Sequence, residues 1–139
     1  MNLNIDNVYN YEWEPAKFSE LKGKIVKNIF FDEEKKWKGS HTLVIETENE
    51  AYILNHECES SEEVYIEDIE GNIFCIINQE ILLAEESSKK VEDDFVCNPS
   101  ETWTFYKIAT AKGYVTIRWY GGSSGWYSEE VYTSKIKLT

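Results

Sequence analysis

The stretch from Trp103 to Tyr132 constrains this chain more than any other. It reads TWTFYKIAT-AKG-YVTIRWY-GGSSG-WYSEEVY and holds nine of the twenty aromatic residues and the only arginine, Arg118. β-branched and aromatic residues in runs broken by glycine-bearing turns predict three consecutive antiparallel strands. Ala111-Lys112-Gly113 suits a three-residue hairpin loop whose glycine takes a left-handed position. Gly121 to Gly125 forms a longer connection. Because strand side chains alternate between faces, pairing across these loops sorts the residues into two sets. Trp103, Phe105, Ala109, Val115, Ile117, Trp119, Tyr127 and Val131 form the expected core face, with Lys107 and Glu129 as misfits.

The opposite face collects Thr104, Tyr106, Ile108, Tyr114, Thr116, Arg118, Tyr120, Trp126, Ser128, Glu130 and Tyr132. In this register Arg118 lies mid-strand opposite Tyr106 and Ser128, one step from Tyr120 and Trp126. The candidate binding set is therefore Tyr106, Arg118, Tyr120, Trp126, Ser128 and Glu130. A guanidinium ringed by aromatic and hydroxyl groups can hold an anion, stack a planar ring or anchor a protein partner. The plainer alternative is that Glu130 or another carboxylate pairs with Arg118 and the tyrosines are ordinary strand residues.

At 139 residues, 42% hydrophobic and 14% aromatic, the chain suits one core-bearing domain. Residues 1–20 read as an arm with anchors Tyr9, Tyr11, Trp13 and Phe18, and residues 21–139 as a single β-rich domain. The net charge is −12, which opposes direct nucleic-acid binding and favours a partner with a basic surface. Seven acids and no base lie between Glu57 and Glu70, a pattern that also fits a solvated face. Cys58, Cys75 and Cys97 cannot all pair within one chain. With no signal-like or membrane-spanning segment, they point to reduced thiols in a cytoplasm and to no membrane association.

Further strands are predicted at 24–32, 42–48, 51–55, 64–67 and 80–86. Ile69, Ile73, Ile76 and Ile77 stand at helical spacing, which predicts a short helix near 67–78, although NIFCIIN also reads as a strand. The polar stretch from Ser87 to Glu101 reads as a mobile connection, with Trp37 in another connection upstream. The expected class is α+β and β-rich: a single twisted antiparallel sheet meander with one short helix.

Catalytic signatures are sparse. His56 and Cys58 stand two apart and would share a strand face. With an acid from 62–68 they could bind a divalent metal, so they are weak candidates for a metal-dependent hydrolase. The glycine-rich GGSSG lies between strands rather than before a helix, and no cofactor is expected.

LKGKI at 21–25, VYIEDIEG at 64–71, ILLAEE at 81–86 and TWTFYKIATAKGYVTIRWYGGSSGWYSEEV at 102–131 resemble a family of small uncharacterised bacteriophage accessory proteins. Relatives tend to carry two adjacent cysteines where this chain has Glu57-Cys58, which weakens a two-cysteine metal or redox role. The resemblance implies expression in a bacterial host cytoplasm and an accessory role outside the virion. Combined with the acidic surface, it leads to an expected non-enzymatic inhibitor that binds a host antiviral defence protein directly. The alternative is a sponge for a nucleotide-derived immune signal, with Arg118 on phosphate and Trp126, Tyr120 or Tyr106 stacking the base. A homodimer with Trp126 and Tyr132 near the contact is expected, because the last strand reads as an edge.

Overall fold

The computed structural model describes residues 2–37, 40–92, 100–124 and 127–138, the side chains of 35–37 and 92 excepted. Nine strands run in chain order: β1 (Glu14–Pro15), β2 (Asn28–Trp37), β3 (Ser40–Glu46), β4 (Glu50–Asn55), β5 (Glu63–Glu70), β6 (Leu83–Glu92), β7 (Ser100–Thr110), β8 (Gly113–Ser123) and β9 (Tyr132–Lys137). They form two antiparallel sheets, one ordered β1-β9-β4-β3-β2 and the other β5-β8-β7-β6.

The fold is all-β, which corrects the α+β expectation. Among the described residues the only helical pieces are 3-10 turns at Val8–Asn10, Phe18–Leu21 and Ile73–Ile76. The helix expected near 67–78 does not form because its backbone is committed elsewhere. β5 runs to Glu70, and Gly71 turns the chain at φ 93°. The Asn72 side chain then accepts from the Phe74 amide at 3.1 Å to start a single 3-10 turn. The next residues pair with 23–26: Asn78 N–H donates to Val26 C=O at 2.7 Å, Val26 N–H to Gln79 C=O at 3.1 Å and Ile81 N–H to Lys24 C=O at 2.9 Å. The isoleucine spacing still does its packing work, since Ile73 and Ile76 are buried one 3-10 turn apart.

The single-meander expectation also fails. β9 leaves β8 altogether and inserts between β1 and β4, pairing with β4 from Glu50↔Lys137 to Asn55↔Tyr132. It is therefore not a sheet edge. The polar stretch 87–101 contributes most of β6 and the start of β7, and 93–99 lies outside the described residues.

The two sheets pack through one core that includes Phe18, Leu43, Leu54, Tyr106, Ile117 and Trp119. A second cluster lies on the far side of the five-stranded sheet, where Leu3 and Val8 of the N-terminal segment cover Val44, Ile53 and Ile136. That segment is tied down by Trp13, whose indole N–H donates to Val8 C=O at 3.0 Å. β3 and β4 are thus buried on both faces, which is why TLVIE and AYILN read as continuous apolar runs rather than alternating ones. No helix among the described residues is long and apolar enough to cross a membrane.

Candidate functional site

The four-stranded sheet has one face on the core and one turned outward. Arg118, Tyr120 and Tyr114 occupy the outer face of β8, as its alternation predicts, while Val115, Ile117 and Trp119 point inward. β7 is inverted relative to expectation. The hairpin pairs Thr110 with Gly113, leaving two residues in the loop instead of three. Gly113 does adopt a positive φ, but as a paired residue. That shift of one position exchanges the faces of the whole strand. Tyr106 pairs with Ile117 and is fully buried, so it is a core residue and no neighbour of Arg118's side chain. Trp103 and Phe105, assigned to the core on sequence, stand outside, with Phe105 opposite Arg118 and Trp103 opposite Tyr120.

Two further predicted site residues do not join this face. Ser128 and Glu130 belong to the segment between β8 and β9, where Ser128 Oγ lies 3.2 Å from Tyr132 Oη and accepts from the Glu130 amide at 3.2 Å. Trp126 lies outside the described residues.

The neighbour that does meet Arg118 is β5. A register irregularity between Ile66 and Asp68 inserts Glu67 as an extra residue, setting two adjacent carboxylates beside the guanidinium. Arg118 Nε donates to Glu67 Oε2 at 2.5 Å, and Nη2 stands 3.7 Å from Asp68 Oδ2. The hydrogen bond to Glu67 raises the guanidinium pKa further above its ordinary value. Arg118 is therefore paired with a carboxylate, Glu67, and not with Glu130.

Across the strands runs an aromatic row, Tyr65–Tyr120–Trp103, in direct register. Ring centroids are 5.5 Å apart for Tyr65 and Tyr120, and 5.0 Å for Trp103 and Tyr120 in an edge-on arrangement. Arg118 Cζ lies 5.8 Å from the Trp103 ring. Gly122 makes room for this row, because a Cβ there would stand 2.6 Å from Tyr120 Oη. Tyr120 Oη donates to Glu101 Oε1 at 3.3 Å; burial first, and then the Glu101 charge, raise its pKa.

A second cluster surrounds His56, which is buried. Its Nδ1 lies 2.8 Å from Glu130 C=O and its Nε2 3.1 Å from Glu62 Oε2. A carbonyl can only accept, and the carboxylate already accepts from the amides of Glu59 and Ser60 at 2.8 Å each. Both ring nitrogens thus face oxygen atoms, and His56 and Glu62 form a buried hydrogen-bonded pair. Burial pushes the Glu62 pKa up, but the two backbone donors and His56 outweigh it and hold the group down at about 2. Cys58 Sγ donates to Glu62 C=O at 3.3 Å, and burial plus the Glu62 charge raise its thiol pKa. A thiol so held is a poor nucleophile. Among the described residues no group of three His, Cys, Asp or Glu side chains is arranged to hold a metal ion.

Between β6–β7 and the 127–131 segment lies a polar cavity of about 480 Å³ lined by Glu86, Ser88, Thr102, Thr104, Glu129 and Glu130, among others. Glu129, a misfit on sequence, is buried there and accepts from Ser100 Oγ at 3.2 Å, Thr102 Oγ1 at 2.7 Å and Ser123 Oγ. Gly121 lets this segment approach, since a Cβ there would meet Glu129 C=O at 2.8 Å. Burial, then the nearby Glu130 charge, raise the Glu86 pKa. The cavity can accept N–H donors and offers no activated nucleophile.

The chain belongs to the DUF7448 family, a domain of unknown function. The match runs over residues 19–133 and takes in the outer aromatic row, Arg118 with its carboxylates and the His56 cluster, leaving out most of the N-terminal segment. No curated protein and no solved structure matches the chain.

The structure adds Trp103 and Tyr65 to this face and sets Glu67 and Asp68, weighed on sequence only as metal ligands, beside Arg118. The acidic run 57–70 was visible as composition. Its pairing with β8, which carries it to Arg118, is a contact between residues some fifty positions apart and left no local signal.

Proposed function

We propose that this protein is a non-enzymatic binding module whose outer sheet face docks onto a basic surface of a protein partner. The observation that carries the reading is the half-buried row Tyr65–Tyr120–Trp103 on the outer face of the four-stranded sheet, bordered by Glu63, Glu67, Asp68 and Glu101, with His41 of β3 edge-on to Tyr65 at its end. Aromatic side chains supply contact area at low entropic cost, and an acidic rim steers a basic partner and sets specificity. On the phage resemblance, that partner is a host antiviral defence factor and the outcome is its inhibition in the host cytoplasm.

The nucleotide-sponge reading draws less support, because Arg118 is already engaged by Glu67 and stands among acids. The hydrolase reading draws less still, because both nitrogens of His56 and the thiol of Cys58 are taken up inside their own cluster.

The test is capture of host proteins by the native chain compared with Trp103→Ala and Tyr120→Ala variants. A specific partner is expected to be lost from both variants, and its association rate should fall as salt rises. Equal capture by all three proteins would overturn the assignment of this face. Calorimetric binding of a cyclic dinucleotide would move the reading to the sponge.

A further inference from the structure

The edges of the two sheets are not equivalent. β1 is only two residues long, and β2 breaks register between Asp32 and Trp37. The β5 edge carries its irregularity at Glu67 and is capped from β3: Ser40 Oγ donates to Val64 C=O at 3.0 Å, and the Ile66 amide donates to His41 Nδ1 at 2.8 Å. Short, bulged or covered edges are the usual ways in which a sheet avoids pairing with another chain.

Among the described residues β6 is neither short, bulged nor capped, and its only such device is the charge of Glu85, Glu86, Lys89 and Lys90. It pairs with β7 through ten uninterrupted positions, from Leu83↔Ala109 to Glu92↔Ser100, with no proline and no bulge. Among the described residues no backbone–backbone hydrogen bond joins it to any element but β7. Glu85 to Val91 are all exposed, Val91 at 44%. The Phe18–Leu21 turn abuts the start of the strand and leaves this stretch open.

The sequence of that edge, LAEESSKKVE, complements itself when reversed. Two copies of an edge strand that meet across a two-fold axis normal to the sheet pair antiparallel and keep each residue on its own face. Centred on Ser87, this puts Leu83 opposite Val91, Glu85 opposite Lys89 and Ser87 opposite its own copy, all on the outer face, with each unlike pair occurring twice. On the inner face Glu86 meets Ser88 and Ala84 meets Lys90. No like charges face each other. A parallel in-register contact would instead set every charge against its own kind, which like-charge repulsion across strands disfavours.

We propose that β6 is a self-association edge at which a second copy of this chain pairs antiparallel about Ser87, joining two four-stranded sheets into one of eight strands. The contact is distinct from the one expected around Trp126 and Tyr132. It is also independent of the partner-binding face, although it would set two copies of the aromatic row on one continuous surface.

Sedimentation of the full chain at tens of micromolar tests it. A dimer is expected for the native chain. Glu85→Lys and Lys89→Glu should each weaken it by about tenfold or more, because each turns two attractive cross-strand pairs into repulsive ones. Mixing the two variants should restore association, since every pair across that heterodimer is again opposite in charge. Unchanged circular dichroism and thermal midpoints would show that both variants fold. Ser87→Cys should cross-link to its own copy under mild oxidation. A native monomer at these concentrations overturns the proposal, and so does a dimer that neither charge reversal weakens.

Discussion

β4 and β8 are both rich in apolar and aromatic residues, yet β4 is buried on both faces and β8 on one. The five-stranded sheet lies between the other sheet and the N-terminal segment, so Ile53 packs toward Leu3 and Val8 while Leu54 packs toward the central core. The four-stranded sheet places Trp119 inside and Trp103, Arg118 and Tyr120 outside. Similar composition thus serves two ends: in the first sheet nearly every apolar residue stabilises the fold, and in the second the outward half is available for contact.

The sharpest way to break this contrast compares two tryptophans on opposite faces of one sheet. Trp119→Ala should destabilise the fold by roughly 3–5 kcal/mol, because it empties a fully buried site. Trp103→Ala should cost no more than about 1.5 kcal/mol, the scale of an aromatic pair at a part-exposed position. Urea denaturation measures both, and equal losses would mean that the outer face is structural after all.

Next in size are the two faces of β4. Ile53→Ala and Leu54→Ala should each cost roughly 2–5 kcal/mol, since both side chains are fully buried. A negligible loss for Ile53→Ala would show that the N-terminal segment does not close a second core.

A smaller effect should appear in acid. The Glu62 pKa is depressed from 4.5 to about 2 on folding, so the stability it contributes is fully present above about 4.5 and is lost as pH falls toward about 2. Glu62→Gln should flatten that part of the stability–pH curve while lowering stability at neutral pH, because it disrupts the buried carboxylate that His56 and the amides of Glu59 and Ser60 hold. A native curve that is already flat between these limits would contradict the hydrogen-bonded Glu62 carboxylate.

Smallest of all, Arg118→Ala should leave the denaturation midpoint unchanged, its ion pair with Glu67 being part-exposed. Its effect belongs on partner association, read as a changed rate in the binding assay.

Much of this architecture was legible. Most strand runs, the alternation of β8 that places Arg118 and Tyr120 on one face, and the anchors Trp13 and Phe18 follow from residue type and period. The strand expected over WYSEEVY does not form across 127–131, and β9 starts only at Tyr132. The isoleucine spacing at 73–77 was a true packing signal assigned to the wrong helix, because a hydrophobic period cannot reveal that 77–81 is hydrogen-bonded to 23–26. Of the described members of the predicted binding set, only Arg118 and Tyr120 share the outer face. The cause is specific: a hairpin loop shorter by one residue turned Tyr106 inward and Trp103 outward.

By itself, then, the sequence determined a β-rich acidic chain with an outward row on β8 and a run of charges at 85–90, which only the structure makes part of an edge strand. The tertiary structure alone decided which strand brings Glu67 to Arg118, which sheet receives β9 and which face of β7 is buried. The physical reason is that strand alternation is local, whereas register and strand partners are settled by contacts between distant residues. With a period of two, a slip of a single position reverses every side chain on the strand.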